Sequence, residues 1–169
     1  MFPVHPELVR LISDWYVTTL IKTPGHAPTP SKPVPIPSEV PVLDMLDQPE
    51  GTAKVAAKLQ QARQHDPKAT LFDEPIVNFI GYEHLQAGDT AGAIEILKLN
   101  AEAFPNSPNV YDSLGDVYLA AGQKDLARQN ARRALELLPS DTSDPEERRK
   151  AIHDNAEKKL QETGGTPQK

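Results

Sequence analysis

Residues 74–107, EPIVNFIGYEHLQAGDTAGAIEILKLNAEAFPNS, are followed without a gap by residues 108–141, PNVYDSLGDVYLAAGQKDLARQNARRALELLPSD. At an offset of 34, Gly81 falls on Gly115, Leu85 on Leu119, Ala87 on Ala121, Gly88 on Gly122, Ala93 on Ala127, Glu102 on Glu136 and Pro105 on Pro139, giving 7 identities. Unrelated sequences of average composition would give about 2 in such a window. Ile76 over Val110, Ile80 over Leu114 and Lys98 over Arg132 add conservative matches. A fixed period between 20 and 50 residues signals stacked supersecondary units, each unable to bury its apolar face alone.

Within each unit the punctuation is helical. Asp73 caps an expected helix over about 74–87 that closes at Gly88, and a second runs over about 90–103 to Pro105. Ser107 caps and Pro108 opens the next, about 109–121 to Gly122, whose partner spans about 124–137 and ends at Pro139. Gly81 and Ala93, like Gly115 and Ala127, are small where two antiparallel helices are expected to cross closely.

Upstream, residues 50–65 (EGTAKVAAKLQQARQH) carry Val55, Leu59 and Ala62 on one face, with Lys54, Lys58, Gln61 and Arg63 outward. This is expected to be the second helix of a half-repeat stacked on the array. Downstream, Ser143-Asp144-Pro145-Glu146-Glu147 starts a helix of about 145–162 whose apolar stripe is Ile152, Ala156 and Leu160. A one-sided terminal helix is what an open stack needs as a cap. The helical domain therefore covers 50–163, with 164–169 as a tail.

The first 49 residues differ in kind. Residues 6–22, PELVRLISDWYVTTLIK, read as a helix with Leu8, Leu11, Ile12, Trp15 and Thr19 on one face, which Val9, Tyr16 and Leu20 widen to about half the circumference. This N-terminal element, 1–23, calls for a body to bury against, by self-association or otherwise. Residues 24–49 hold eight prolines, a density that favours an extended spacer. Pro30-x-x-Pro33 fits a groove-docking pattern, although a spaced run of prolines produces it unaided. Val40, Val42, Leu43, Met45 and Leu46 are apolar enough to latch the end of the spacer onto the helices beyond.

Composition narrows the function. The formal net charge of −6 supplies no basic stripe for nucleic acid. No cysteine is present, and no apolar run reaches the roughly 18 residues of a membrane span. The first 22 residues carry Glu7 and Asp14 and do not read as a signal peptide, so a soluble, cytoplasmic protein is the default expectation. His5, His26, His65, His84 and His153 are scattered without metal-ligand spacing. Asp141, Asp144, Glu146 and Glu147 lack the order of a calcium loop and suit a helix N-terminus. Neither a cofactor nor a metal is expected.

The stretch 74–142 resembles two tetratricopeptide repeats. The second matches the family pattern at Tyr111, Leu114, Gly115, Tyr118, Ala127, Ala134 and Pro139, with Ala131 where a large residue belongs. The first matches at Val77, Ile80, Gly81, Ala93, Leu97 and Pro105, with His84 in place of an aromatic and Asn100 in place of a small residue. The resemblance implies an all-α, short helical solenoid with a separate N-terminal helix and a proline-rich linker. It also implies a non-catalytic scaffold whose concave face binds a peptide or partner protein. Carried over by position, that face presents Asn78, Tyr82, Leu85 and Gln86, then Asp112, Asp116 and Leu119. Asp112 and Asp116 would repel the acidic terminus gripped by the family's chaperone-binding members, so a basic or neutral partner is expected. Alternatively, the two aspartates are a solvated helix face.

A second resemblance covers residues 3–28, similar to the C-terminal helix of a bacterial α/β-hydrolase of the dienelactone-hydrolase or esterase kind. It implies, as the alternative, a tail following a catalytic domain upstream. His5 suits a helix cap better than a catalytic role, and no G-x-S-x-G elbow occurs in the chain.

Overall fold

The computed structural model describes residues 40–164, and every regular element among them is helical. They are α1 (Val40–Leu43), α2 (Gly51–His65), α3 (Glu74–Gln86), α4 (Thr90–Ala103), α5 (Pro108–Ala120), α6 (Lys124–Leu137), a 3-10 turn (Leu138–Ser140) and α7 (Glu146–Glu162). The N-terminal helix expected at 6–22, the hydrolase-like residues 3–28, the spacer up to residue 39 and most of the tail lie outside the described residues.

From α3 onward each helix packs chiefly on its neighbours in sequence: α3 on α4, α4 on α5, α5 on α6 and α6 on α7. A second set of contacts skips one helix, joining α2 to α4, α3 to α5 and α5 to α7. Three-residue connections after α3 and α5 leave room only for a reversal of direction. Gly88 (φ 84°) and Gly122 (φ 71°) make those reversals in the left-handed region, where a side chain would be strained.

The N-terminal caps differ from expectation. Asp73 and Ser107 stand at their cap positions, but neither side chain accepts a backbone hydrogen bond. The prolines one or two residues on define those starts by fixing φ. Pro145 sits at the cap of α7 instead of within its first turn. The side-chain cap that does form is at Asp89, whose Oδ1 accepts from the Gly92 N–H at 2.9 Å and opens α4.

α4 lies at the centre because its sequence is apolar nearly all round: Ala93, Ile96, Leu97, Leu99, Ala101 and Ala103 are buried. Its Ile96, Leu99 and Ala103 join Val55 and Leu59 of α2 and Val77 of α3 in one core. Ala93, Leu97 and Ala101 join Val110, Leu114, Val117 and Tyr118 of α5 and Ala127 of α6 in a second. A third links Ala131, Ala134 and Leu135 of α6 to Ile152, Ala156 and Leu160 of α7. Fully buried side chains such as Leu59, Ile96, Leu97 and Leu160 each contribute about 1.5–3 kcal/mol.

The end of the proline-rich segment is more ordered than its composition suggests. Residues 40–43 form a helical turn, and Leu46 is buried in the first core with Val42, Leu43 and Met45 beside it. Arg63 is not an outward solvent group. Its guanidinium donates to the carbonyls of Ala103 at 2.7 Å, Glu102 at 3.0 Å and Ala69 at 3.2 Å, satisfying the free carbonyl end of α4. Asn100, the departure from a small residue, is buried and donates through Nδ2 to the Glu74 carbonyl at 3.1 Å.

Candidate interaction face

Asn78, Tyr82 and Leu85 are spaced i, i+4, i+7 and share a face of α3; Asp112, Asp116 and Leu119 repeat the spacing on α5. The members of the two rows are related by the 34-residue offset, and the helices that carry them are in contact. Tyr82 Oη donates to Asp116 Oδ2 at 2.6 Å. Burial holds the Tyr82 hydroxyl well above the usual phenol range, and the Asp116 charge raises it further.

A residue the sequence reading passed over occupies the middle of this face. Lys159 of α7 is 3% exposed, and its Nζ donates to Asp112 Oδ1 at 2.6 Å and lies 2.7 Å from Asp116 Oδ1. Asn155 Nδ2 adds a longer contact to Asp112 Oδ2 at 3.5 Å. Asp112, 4% exposed, is therefore neither a solvated helix residue nor open to a partner. Burial pushes its carboxyl up, and the Lys159 charge opposes that rise. Asp116 keeps about a third of its side chain exposed, at 35%.

The signal for Lys159 was present in the spacing. Ile152, Ala156, Lys159 and Thr163 run i, i+4, i+7, i+11, and all four are buried. Reading the stripe through apolar residues alone ended it at Leu160 and hid the lysine. Its stem also explains Gly115, where an added Cβ would stand 3.2 Å from Lys159 Cδ and 3.5 Å from the Ala127 carbonyl oxygen. Gly115 thus admits α7 as well as α6, whereas Gly81 serves the α3–α4 crossing through Leu97.

Of the remaining expected interface residues, Asn78, Leu85 and Leu119 are half-buried and Gln86 is exposed. Ala93 and Ala127 are sealed at 0% exposure, while Pro105 and Pro139 lie exposed on the turns that follow α4 and α6. His84 does not fill a core position. Its Nδ1 is 2.8 Å from Asp89 Oδ2 and its Nε2 is 3.5 Å from Asp47.

A cleft of about 700 Å³ lies elsewhere, between α5 and α6, lined by Tyr111, Leu114, Tyr118, Arg128, Arg132 and Arg133 among others. None of the expected interface residues borders it. Its charges largely cancel locally, since Arg128 pairs with Asp125, and Arg133 pairs with Glu136 while lying over the Tyr111 ring.

Among the described residues no group of three histidine, aspartate or glutamate side chains is placed to hold a metal ion. Asp141 instead accepts from the Ser143 N–H at 3.0 Å, and Asp144 pairs with Arg148 at 3.3 Å. No described helix is long and apolar enough to cross a membrane. A scan against models of known protein families finds no match to this chain, and a search of curated proteins finds none either.

Proposed function

We propose that the chain is a non-catalytic, tetratricopeptide-type helical solenoid that holds a segment of another polypeptide along the row formed by α3 and α5. The observation that carries this is the Tyr82–Asp116 bond, which joins equivalent positions of successive 34-residue units across adjacent helices. Contacts that skip one helix, α3 with α5 and α5 with α7, are what stacked helix pairs require. The accessible groups along the row, Asn78, Tyr82, Leu85, Gln86, Asp116 and Leu119, combine amide, carboxylate and apolar surface. With two carboxylates against the single ammonium of Lys159, the row keeps one net negative charge. That balance favours a neutral or basic segment over an acidic one.

Selection of peptides from a random display library on the full chain tests this. Selected peptides are expected to bind about ten-fold more weakly to Gln86→Arg/Leu119→Arg, with helical content unchanged by circular dichroism. Equal binding to the wild type and this variant would put the site elsewhere.

A further inference from the structure

One flank of α3 faces solvent where the equivalent flank of α5 is sealed. Ile76 and Phe79 are 40% and 62% exposed, whereas Val110 and Ser113, which lie 34 residues on, are 0% and 2% exposed. Glu83 shares the flank, one turn beyond Phe79, and its counterpart Val117 is also 0% exposed.

The difference lies in the neighbours. On α5, Val110 and Val117 share one core with Ala93, Leu97 and Ala101 of α4, and Ser113 lies near Tyr82 of α3. On α3 the corresponding cover is incomplete. α2 leans chiefly on α4, and the apolar residues of 42–46 reach the core beside Ile80 without burying Ile76 or Phe79. Among the described residues, no helix lies along α3 as α3 lies along α5.

The flank also has a charge signature. Asp73 stands before its N-terminal end and Glu83 within it, and neither makes an ion pair with a described residue. Asp47 lies beside its far end, with His84 as its partner at 3.5 Å. Two large apolar side chains one turn apart, bordered by carboxylates, match a helix with an apolar stripe and basic borders.

We propose that this flank docks a cationic amphipathic helix of a partner protein, laid along α3 as α3 is laid along α5. The interval from Ile76 to Glu83 spans two turns, or about 10 Å, so the partner supplies anchors at i, i+3 or i+4, and i+7, with lysine or arginine beside them. The site rests on the repeat register, not on peptide binding along the inner row.

The probe is a labelled leucine/lysine model helix of about 18 residues with its leucines on one face, read by fluorescence anisotropy on the full chain. Controls are a scrambled peptide of equal composition and a leucine/glutamate version. Ile76→Ser/Phe79→Ser removes both apolar anchors, giving position 79 the serine that α5 carries at position 113, and circular dichroism checks that its helical content matches the wild type. We expect this variant and Glu83→Lys each to weaken binding by about ten-fold, and both control peptides to bind at least that much more weakly to the wild type. Equal binding by the scrambled peptide, or no effect of the Ile76/Phe79 variant, would overturn the proposal. So would loss of binding in Leu119→Arg alone, which would assign the peptide to the row along α3 and α5. A concentration-dependent dimer by light scattering that Phe79→Ser abolishes would replace the partner with a second copy.

Discussion

Tyr82 and Asp116 hold the same place in consecutive 34-residue units and meet in a hydrogen bond of 2.6 Å between α3 and α5. The bond ties the two units together directly, independently of the α4 core between them. A neutral donor to a carboxylate is worth about 1.5–3 kcal/mol when dry, but Asp116 is partly exposed. Tyr82→Phe should therefore cost about 1 kcal/mol, seen as a lower urea midpoint with an unchanged m-value.

The same pair predicts an alkaline effect. Folding raises the Tyr82 pKa, through burial first and the Asp116 charge second. A group whose folded pKa lies above its unfolded value contributes fully below the unfolded value, here about 10, and loses that contribution as pH rises toward the folded one. The wild type should therefore lose stability above about pH 10 more steeply than Tyr82→Phe. Parallel pH profiles for the two proteins would show that the hydroxyl is not buried as described.

Lys159 offers a sharper contrast. Lys159→Ala leaves Asp112 buried beside Asp116 without a cation, and truncating one partner of a buried pair costs about 3–5 kcal/mol. Lys159→Met/Asp112→Asn removes both charges while keeping volume, and should recover most of that loss in thermal melts. Asp112 is raised by burial, with Lys159 opposing, so the single variant removes the opposing influence. A carboxylate with a raised folded pKa costs stability as pH rises through that value, so Lys159→Ala should gain stability on acidification more than the wild type does. A single variant as stable as the double one would mean that the ammonium has no compensating role.

These two cases show what local sequence can and cannot reveal. The four helices α3 to α6 were legible because the 34-residue offset, Gly88, Gly122 and the prolines act through the backbone of their own segment, whereas the helical turn α1 was hidden inside a proline-rich stretch. The pairing of Asp112 with Lys159 spans 47 residues and depends on how α7 lands on α5, which periodicity does not encode. Arg63 was read as outward for the same reason: its acceptors at Glu102 and Ala103 belong to a helix about 40 residues further on. The exposure of Phe79 was equally hidden, since it follows from where α2 leans and not from any residue of α3.

Asp89 is a local feature with a local test. Its Oδ1 caps α4 at Gly92, and its Oδ2 meets His84 Nδ1 at 2.8 Å. Asp89→Ala should cost about 1 kcal/mol, and Asp89→Asn much less, because the amide oxygen still accepts from Gly92. The Gly92 N–H, then His84, lower the Asp89 carboxyl below its ordinary 3.8. A depressed folded pKa contributes above the ordinary value and is lost as pH falls through the folded one, so the advantage of wild type over Asp89→Asn should shrink below about pH 4.

The two repeat glycines should respond differently to one methyl group. At Gly81 an added Cβ would stand 2.6 Å from both Cγ and Cδ2 of Leu97, a fully buried side chain. Overpacking of this kind costs about 1–3 kcal/mol, more than the roughly 1 kcal/mol of helix propensity gained on replacing glycine by alanine. Gly81→Ala should therefore be destabilising. At Gly115 the nearest atom is Lys159 Cδ at 3.2 Å, part of a flexible stem that can shift by a few tenths of an ångström. There the propensity gain and the crowding are comparable, and Gly115→Ala should fall within about 1 kcal/mol of the wild type in urea unfolding. If Gly115→Ala proved the more damaging of the two, the Lys159 stem would have to be held more rigidly than the Leu97 side chain.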